Sequence, residues 1–137
     1  MTAPRMSMAG PDQGEEVLRL VGELLRELDG GAEFEGLDLD RIRRDWAAAA
    51  GRVAPFVARV EGGRPVGVLT LVESFAIYAG GNYGVIDECW VDPGWRSRGV
   101  GRLLLDAAGA HGRHRGDRKS TRLNSSHSRA SRMPSSA

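Results

Sequence analysis

The sequence predicts an α+β domain in which two helices precede a sheet of antiparallel strands and a third helix follows it. Three observations indicate this class: two amphipathic patterns in the first fifty residues, a β-branched, glycine-punctuated stretch between Pro55 and Pro93, and a last helical pattern beginning near Val100. A chain of 137 residues is long enough for a single core with two layers of secondary structure.

The first helix is predicted in DQGEEVLRLVGELLREL, residues 12–28. Apolar residues recur there at the spacing of one helix face: Val17, Leu20 or Val21, Leu24 and Leu28. Asp12 and Glu15 resemble a capping box, and Gly30-Gly31 supplies a stop. Residues 1–11, which carry no such pattern, are expected to be disordered.

The second helix is predicted in LDLDRIRRDWAAAA, with Asp38 as its cap and Gly51 near its end. Its apolar face is weaker and consists of Leu39, Ile42, Trp46 and Ala49. Because both helices are amphipathic, each needs an apolar surface on which to pack.

Three strands are predicted next, near residues 56–61, 65–78 and 83–91. Gly62-Gly63 and Gly80-Gly81 provide the tight turns of a meander. Asp92-Pro93 ends the third strand, because proline cannot donate to a β-ladder.

The stretch ECWVDPGWRSRGVGRLLLDAA carries the clearest chemical signal. A strand runs into a glycine-containing loop, and a helix begins at once, so backbone N–H groups and the positive end of the helix dipole form an anion site suited to a pyrophosphate. A surface turn with solvated arginines is the alternative interpretation. The Walker loop GxxxxGK[ST] is absent from the sequence, and a dinucleotide fingerprint needs a parallel βαβ unit instead of a meander.

With its flanking strand and helix, VIDECWVDPGWRSRGVGRLLLDAA resembles the acetyl-CoA-binding core of the GNAT superfamily of N-acetyltransferases. That pattern is a strand end with an acidic residue, an aromatic residue, Val and Pro, followed by [R/Q]-x-x-G-x-[G/A] and a helix. The resemblance covers roughly residues 12–115 and implies a GNAT-like mixed sheet with N-terminal helices.

The resemblance also implies roles for individual residues. The coenzyme pyrophosphate would bind, mostly through backbone N–H groups, to Arg96, Ser97, Arg98, Gly99, Val100, Gly101 and Arg102. Trp90 and Val91 would hydrogen-bond the pantetheine arm through their main chain. The acetyl group would pass directly from acetyl-CoA to an amine, with Glu88 as the first candidate for the general base and Asp87 as the second. Because adjacent strand residues point to opposite faces, at most one of the two carboxylates should face the acceptor.

The composition fits a protein without a metal, a disulfide or a membrane segment. Cys89 is the single cysteine, its strand neighbours are apolar, and it is predicted to be a buried core residue. His111 and His114 have no paired ligands at metal-binding spacing. Neither a long apolar run nor a signal peptide is evident, which favours a cytoplasmic protein. The acceptor, a small molecule or a protein amine, and the oligomeric state are not indicated.

Residues 117–137 differ sharply from the rest. Up to Gly116 the chain has 14 Arg, no Lys and 17 acidic residues, whereas Asp117 onward has four Arg, the only Lys and one Asp. Back-translated in one frame, DRKSTRLNSSH and SRMPSSA resemble successive segments of a short-read sequencing adapter. We therefore expect an artefactual, disordered tail and a partial N-acetyltransferase domain at 12–116, truncated after the helix that follows the loop.

This expectation has consequences for function. A truncated domain would leave the edge of the third strand unpaired and lack the elements that complete the acceptor pocket. The intact parent would be an acetyl-CoA-dependent N-acetyltransferase, whereas this truncated chain is expected to show little acetyl transfer. The alternatives are a noncatalytic acyl-CoA-binding or interaction module and a nucleic-acid-binding protein that uses the basic tail. The tail has no aromatic residue for base stacking, which disfavours nucleic acid.

Overall fold

The computed structural model describes residues 3–116 and 122–123. The elements in chain order are β1 (Arg5–Met8), α1 (Gly14–Asp29), α2 (Ala32–Glu35), α3 (Leu39–Ala49), β2 (Val53–Arg59), β3 (Pro65–Ala76), β4 (Gly81–Val91), α4 (Val100–Arg115) and β5 (Arg122–Leu123). The strands form one sheet in the order β1-β2-β3-β4-β5, in which all neighbours are antiparallel except β4 and β5. The prediction of an α+β fold with N-terminal helices is confirmed.

The amino end contains a strand that the sequence pattern did not reveal. Strand β1 pairs with β2 from Arg5 opposite Arg59 to Met8 opposite Phe56. Met6 packs against the core, whereas its neighbours are exposed. The expectation that residues 1–11 are disordered is therefore wrong over β1. A four-residue edge strand with one inward side chain is too short to produce a recognisable alternation.

Helix α1 ends as predicted but begins differently. Gly30 follows it in the left-handed conformation, and its N–H group donates to the Arg26 carbonyl at 2.8 Å. At the other end Gln13 occupies the N-cap position and no side chain caps the helix, so the predicted capping box of Asp12 and Glu15 is wrong. A 3-10 turn at Pro11–Gln13 precedes the helix and moves its start beyond Asp12.

Helix α3 begins at its predicted cap, where the Asp38 carboxylate accepts a hydrogen bond from Arg41 N at 3.1 Å. None of its residues is fully buried. The short helix α2 was not predicted; its Phe34 ring covers Gly22, where a Cβ would meet the ring at 3.1 Å. The connection between α1 and α3 therefore packs back onto α1.

The sheet separates two apolar clusters. On one face α4 contributes Val100, Leu104 and Ala108 to a core completed by strand residues, among them Leu69, Leu71, Ile86, Cys89 and Val91. On the other face Val17, Leu20 and Leu24 of α1 pack against Val57, Val68 and Trp90. The face of α1 predicted from periodicity is the face that packs on the sheet. None of the helices in the described residues is long and apolar enough to cross a bilayer.

Strand β4 is paired unequally on its two sides. It pairs with β3 over its whole length, from Gly81 opposite Ala76 to Val91 opposite Gly67. On its other side β5 pairs with only Val85 and Ile86, in parallel. The expectation of a wholly unpaired edge is therefore wrong at these two positions, because two residues of the segment 117–137 form a strand. The other residues of that predicted tail lie outside the described residues.

Candidate functional site

The loop between β4 and α4 is built by local hydrogen bonds and two unusual backbone conformations. Asp92 accepts a hydrogen bond from Gly94 N at 2.9 Å, which starts a 3-10 turn at Pro93–Trp95. Ser97 and Gly99 then adopt positive φ angles of 64° and 86°. Ser97 is the only non-glycine residue with positive φ among the described residues. These two conformations change the direction of the chain, so that α4 begins immediately after Gly99.

The start of α4 is suited to an anion. Gly99 occupies the N-cap position and no side chain caps the helix. The first N–H groups of a helix have no intrahelical partners, and the helix dipole adds positive potential there. A Cβ at Gly99 would meet no atom within 4 Å, so the space beside the backbone is open. The residues predicted to form an anion site, Gly99, Val100, Gly101 and Arg102, therefore lie at a helix N-terminus that no side chain caps.

The three arginines predicted around this loop have different surroundings. Arg96 is bound by protein groups, since its Nε donates to the Val91 carbonyl at 2.9 Å and its Nη2 lies 2.7 Å from both carboxylate oxygens of Glu27. The Arg98 guanidinium lies over the Trp95 ring, 5.1 Å from its centroid. Arg102 is exposed and has no ion pair within the described part of the chain. Arg96 is therefore held by protein groups, whereas Arg102 is exposed at the start of α4.

Trp90 and Val91 lie next to this loop, on the part of β4 that β5 does not reach. Among the described residues, β4 has no second neighbouring strand from Asp87 to Val91. The side chains of both residues are buried, that of Trp90 against α1 and that of Val91 against α4. An open strand edge that ends at a helix N-terminus can accept an extended ligand through its main chain.

Asp87, the neighbour of Glu88, lies in a β-bulge of β4. The pairing passes from Glu88 opposite Thr70 to Ile86 opposite Leu71, so that Asp87 is the extra residue. The bulge changes the simple alternation, because Ile86 and Cys89 both lie in the α4-side core although they are three residues apart. Glu88 is opposite Thr70, two residues from the Val68–Trp90 pair that faces α1. It therefore shares the α1 face with Trp90.

Thr70 holds Glu88 through two hydrogen bonds. The buried Thr70 hydroxyl donates to Oε1 of Glu88 and accepts from Glu88 N at 3.1 Å. No sequence pattern indicated Thr70, because its role depends on the register between β3 and β4. Glu27 was not indicated either, since it accepts hydrogen bonds from Trp90 and Arg96 across more than sixty positions of sequence. No local motif could have indicated either residue.

Other candidate groups take no part in this site. Burial raises the pKa of Cys89 to about 12, so the thiol is protonated at neutral pH, and its prediction as a core residue is confirmed. Among the described residues, no three His, Cys, Asp or Glu side chains are grouped as metal ligands. A cavity of about 490 Å³ lies between α3, the start of β2 and the end of α4, and no predicted site residue lines it.

Comparison with known families gives one clear match. The model of the Acetyltransferase (GNAT) family matches residues 20–133, which is most of the chain. No curated protein matches the sequence.

Solved structures share the fold at low sequence identity. An aminoglycoside acetyltransferase from an uncultured soil metagenomic sample, in complex with sisomicin, aligns with a TM-score of 0.72 and 17% identity over 95% of this chain and 88% of its own. A ribosomal-protein-alanine N-acetyltransferase from Brucella melitensis biovar Abortus 2308 has a TM-score of 0.68 and 18% identity over 90% and 80%. A Trypanosoma brucei acetyltransferase has a TM-score of 0.65 and 24% identity over 91% and 84%.

Proposed function

Because the chain belongs to the GNAT family of acetyltransferases, we propose that it transfers an acetyl group from acetyl-CoA to an amine. The observation that carries the proposal is the uncapped start of α4, which adjoins the stretch of β4 from Asp87 to Val91, where no second strand pairs within the described part of the chain. One feature suits a pyrophosphate and the other suits an extended amide-bearing arm. Together they fit the pyrophosphate of coenzyme A and the pantetheine arm attached to it.

The binding roles follow from this arrangement. The N–H groups of Gly99, Val100, Gly101 and Arg102 would receive the pyrophosphate, while Arg98 and Arg102 add positive charge. The main chain of Trp90 and Val91 would orient the pantetheine arm. The Val91 carbonyl already accepts Arg96 Nε, so a ligand would share that oxygen or use other groups of the same strand.

The chemical step needs a neutral amine. Its nitrogen attacks the thioester carbonyl carbon, a C–N bond forms and the C–S bond breaks, and the sulfur leaves as the thiolate of coenzyme A. The proton lost by the amine passes to Glu88, directly or through water, and the thiolate takes up a proton from solvent or an acid. No acyl-enzyme is formed, which agrees with the protonated, buried state of Cys89.

The acceptor is proposed only as a class. The structural neighbours include an aminoglycoside acetyltransferase and a ribosomal-protein-alanine N-acetyltransferase, so both a small polyamine and a protein amino terminus are reasonable acceptors. Sisomicin and a peptide that begins with alanine represent these classes. Release of free thiol from acetyl-CoA in the presence of each would identify a productive acceptor.

Substitution of Gly99 tests the loop assignment. Gly99→Trp should weaken acetyl-CoA binding at least about tenfold, because the indole fills the space beside the helix start and strains a left-handed backbone. Titration calorimetry with acetyl-CoA measures the effect. Gly101→Trp should act in the same direction.

Gly116 offers a matched control at the opposite end of the same helix. Its φ of 88° is close to that of Gly99, and a Cβ there would also meet no atom within 4 Å. Gly116→Trp should therefore cause a similar strain without weakening acetyl-CoA binding. Equal affinities for wild type and Gly99→Trp would refute the loop assignment, and binding without transfer to any amine would instead favour a noncatalytic acyl-CoA-binding module.

A further inference from the structure

Glu27, near the end of α1, joins three elements of the candidate site. Its Oε1 accepts a hydrogen bond from the indole Nε1 of Trp90 at 3.2 Å. Both of its carboxylate oxygens lie 2.7 Å from Nη2 of Arg96. One carboxylate on a helix thus contacts the end of β4 and the first residue after the 3-10 turn of the loop.

Arg96 completes the connection from the loop side. Its Nε donates to the Val91 carbonyl at 2.9 Å while its Nη2 binds Glu27. The same side chain therefore links the strand end, the loop and α1. Charge-assisted hydrogen bonds to a planar guanidinium restrict orientation more than a simple ion pair does.

We propose that Glu27 is a positioning residue that fixes the pyrophosphate loop before acetyl-CoA binds, so that α1 and the loop act as one rigid unit. The identity of the ligand, acetyl-CoA, rests on the proposed function. The restraint on the loop rests only on the contacts of Glu27 and Arg96. Glu27 would act through Arg96 and Trp90 without touching the coenzyme. In this arrangement Arg96 is the anchor of the loop.

The loop needs such an anchor because its backbone is unusual. Ser97 at φ 64° and Gly99 at φ 86° hold conformations that a free chain adopts only part of the time. A binding loop that is already ordered avoids the entropy cost of ordering on binding. Glu27 also neutralises Arg96, so that Arg96 serves to hold the loop and the backbone N–H groups of the helix N-terminus remain for the ligand.

Substitution of the carboxylate by an amide separates this role from packing. Glu27→Gln keeps the size of the side chain and an oxygen that can accept the Trp90 indole, but it removes the charge that holds Arg96. In the full chain without ligand, amide hydrogen exchange of residues 92–99 should become about three- to tenfold faster. The dissociation constant for acetyl-CoA should rise by a similar factor.

Glu23 provides the matched control on the same helix. It forms an ion pair with Arg26, and its side chain is 41% exposed, as is that of Glu27. Glu23→Gln should change neither loop exchange nor acetyl-CoA affinity. A purely structural effect of Glu27→Gln would instead speed exchange throughout α1 as well as in the loop.

A double-substitution cycle tests whether the effect passes through Arg96. If it does, Arg96→Gln should accelerate loop exchange as Glu27→Gln does, and the pair should show no further increase over either alone. If Glu27→Gln does not fold, Arg96→Gln can be used in its place. Unchanged loop exchange in both single variants would overturn the inference. Failure of the wild-type chain to bind acetyl-CoA would refute the proposed function, and the exchange results would still decide the role of Glu27.

Discussion

The carboxylate of Glu88 is held in place before any substrate arrives. Thr70 donates to one of its oxygens and accepts from its backbone N–H group, which fixes both the side chain and the strand at that point. Asp87 occupies the bulge next to it. A general base works best when its geometry is set in advance. The two hydrogen bonds therefore support the proposal of Glu88 as the base.

Paired amide substitutions distinguish the two carboxylates. Glu88→Gln should lower the turnover number about a hundredfold or more, because the amide cannot take the amine proton. Asp87→Asn makes the same change in charge one residue away and should lower the turnover number less than about threefold. Initial rates at saturating acetyl-CoA, with whichever amine proves productive, provide the comparison. The reverse order of effects would assign the base to Asp87.

The sequence pattern placed Glu88 before Asp87 as the base, but alternation alone could not show which of the two faces the acceptor. Alternation along a strand predicts that neighbours face opposite sides, and the bulge at Asp87 breaks that rule. A bulge depends on how two strands are aligned, and a single sequence does not encode that alignment in a local pattern. The contact of Glu27 with Arg96 was unpredictable for the same reason, because the helix and the loop meet only in the folded chain.

At the scale of elements, long periodic segments were predicted well and short ones were not. Helices α1 and α3 and strands β2 to β4 occur where the patterns placed them, with ends shifted by a few residues. These segments carry enough apolar residues for a period of 3.6 or 2 to be visible. Strand β1 has one inward residue, so no period could indicate it. The start of α1 was misplaced because a 3-10 turn replaced the capping box.

Gly67 of β3 allows the start of α4 to pack closely against the sheet. A Cβ there would lie 2.9 Å from Cγ1 of Val100 and 3.3 Å from the Trp90 carbonyl oxygen. Gly67→Ala should therefore push the start of α4 away from the sheet, lowering the free energy of unfolding by about 1–3 kcal/mol and weakening acetyl-CoA binding. Urea denaturation and titration calorimetry measure the two effects.

Gly14 is the control for this substitution. A Cβ at Gly14 would meet no atom within 4 Å, and the residue is the first of α1. Gly14→Ala should leave stability unchanged or raise it by up to about 1 kcal/mol, with no change in acetyl-CoA affinity. If Gly67→Ala behaved in the same way, the contact between β3 and α4 would not set the position of the loop.

For the molecule as a whole, the proposed coenzyme site lies within the first 116 residues. The uncapped helix start, the open edge of β4 and the Glu27 contact all lie there. The composition changes after Gly116, whereas the family match continues to residue 133 and two residues of that segment pair with β4. Composition and similarity thus make different predictions about residues 117–137, and the two can be separated by experiment.

We propose, from the composition and the adapter resemblance, that residues 117–137 contribute nothing specific to coenzyme binding. Replacing them by glycine and serine at equal length should leave the dissociation constant for acetyl-CoA within about twofold, because the proposed ligand groups remain. The free energy of unfolding should fall by no more than about 1–2 kcal/mol, the value of the short pairing between β5 and β4. Resequencing the gene across codon 116 checks the origin of the segment independently. A tenfold loss of affinity in the replaced chain would show that the segment contributes to the site, and recovery of the same codons from the gene would show that it belongs to the protein.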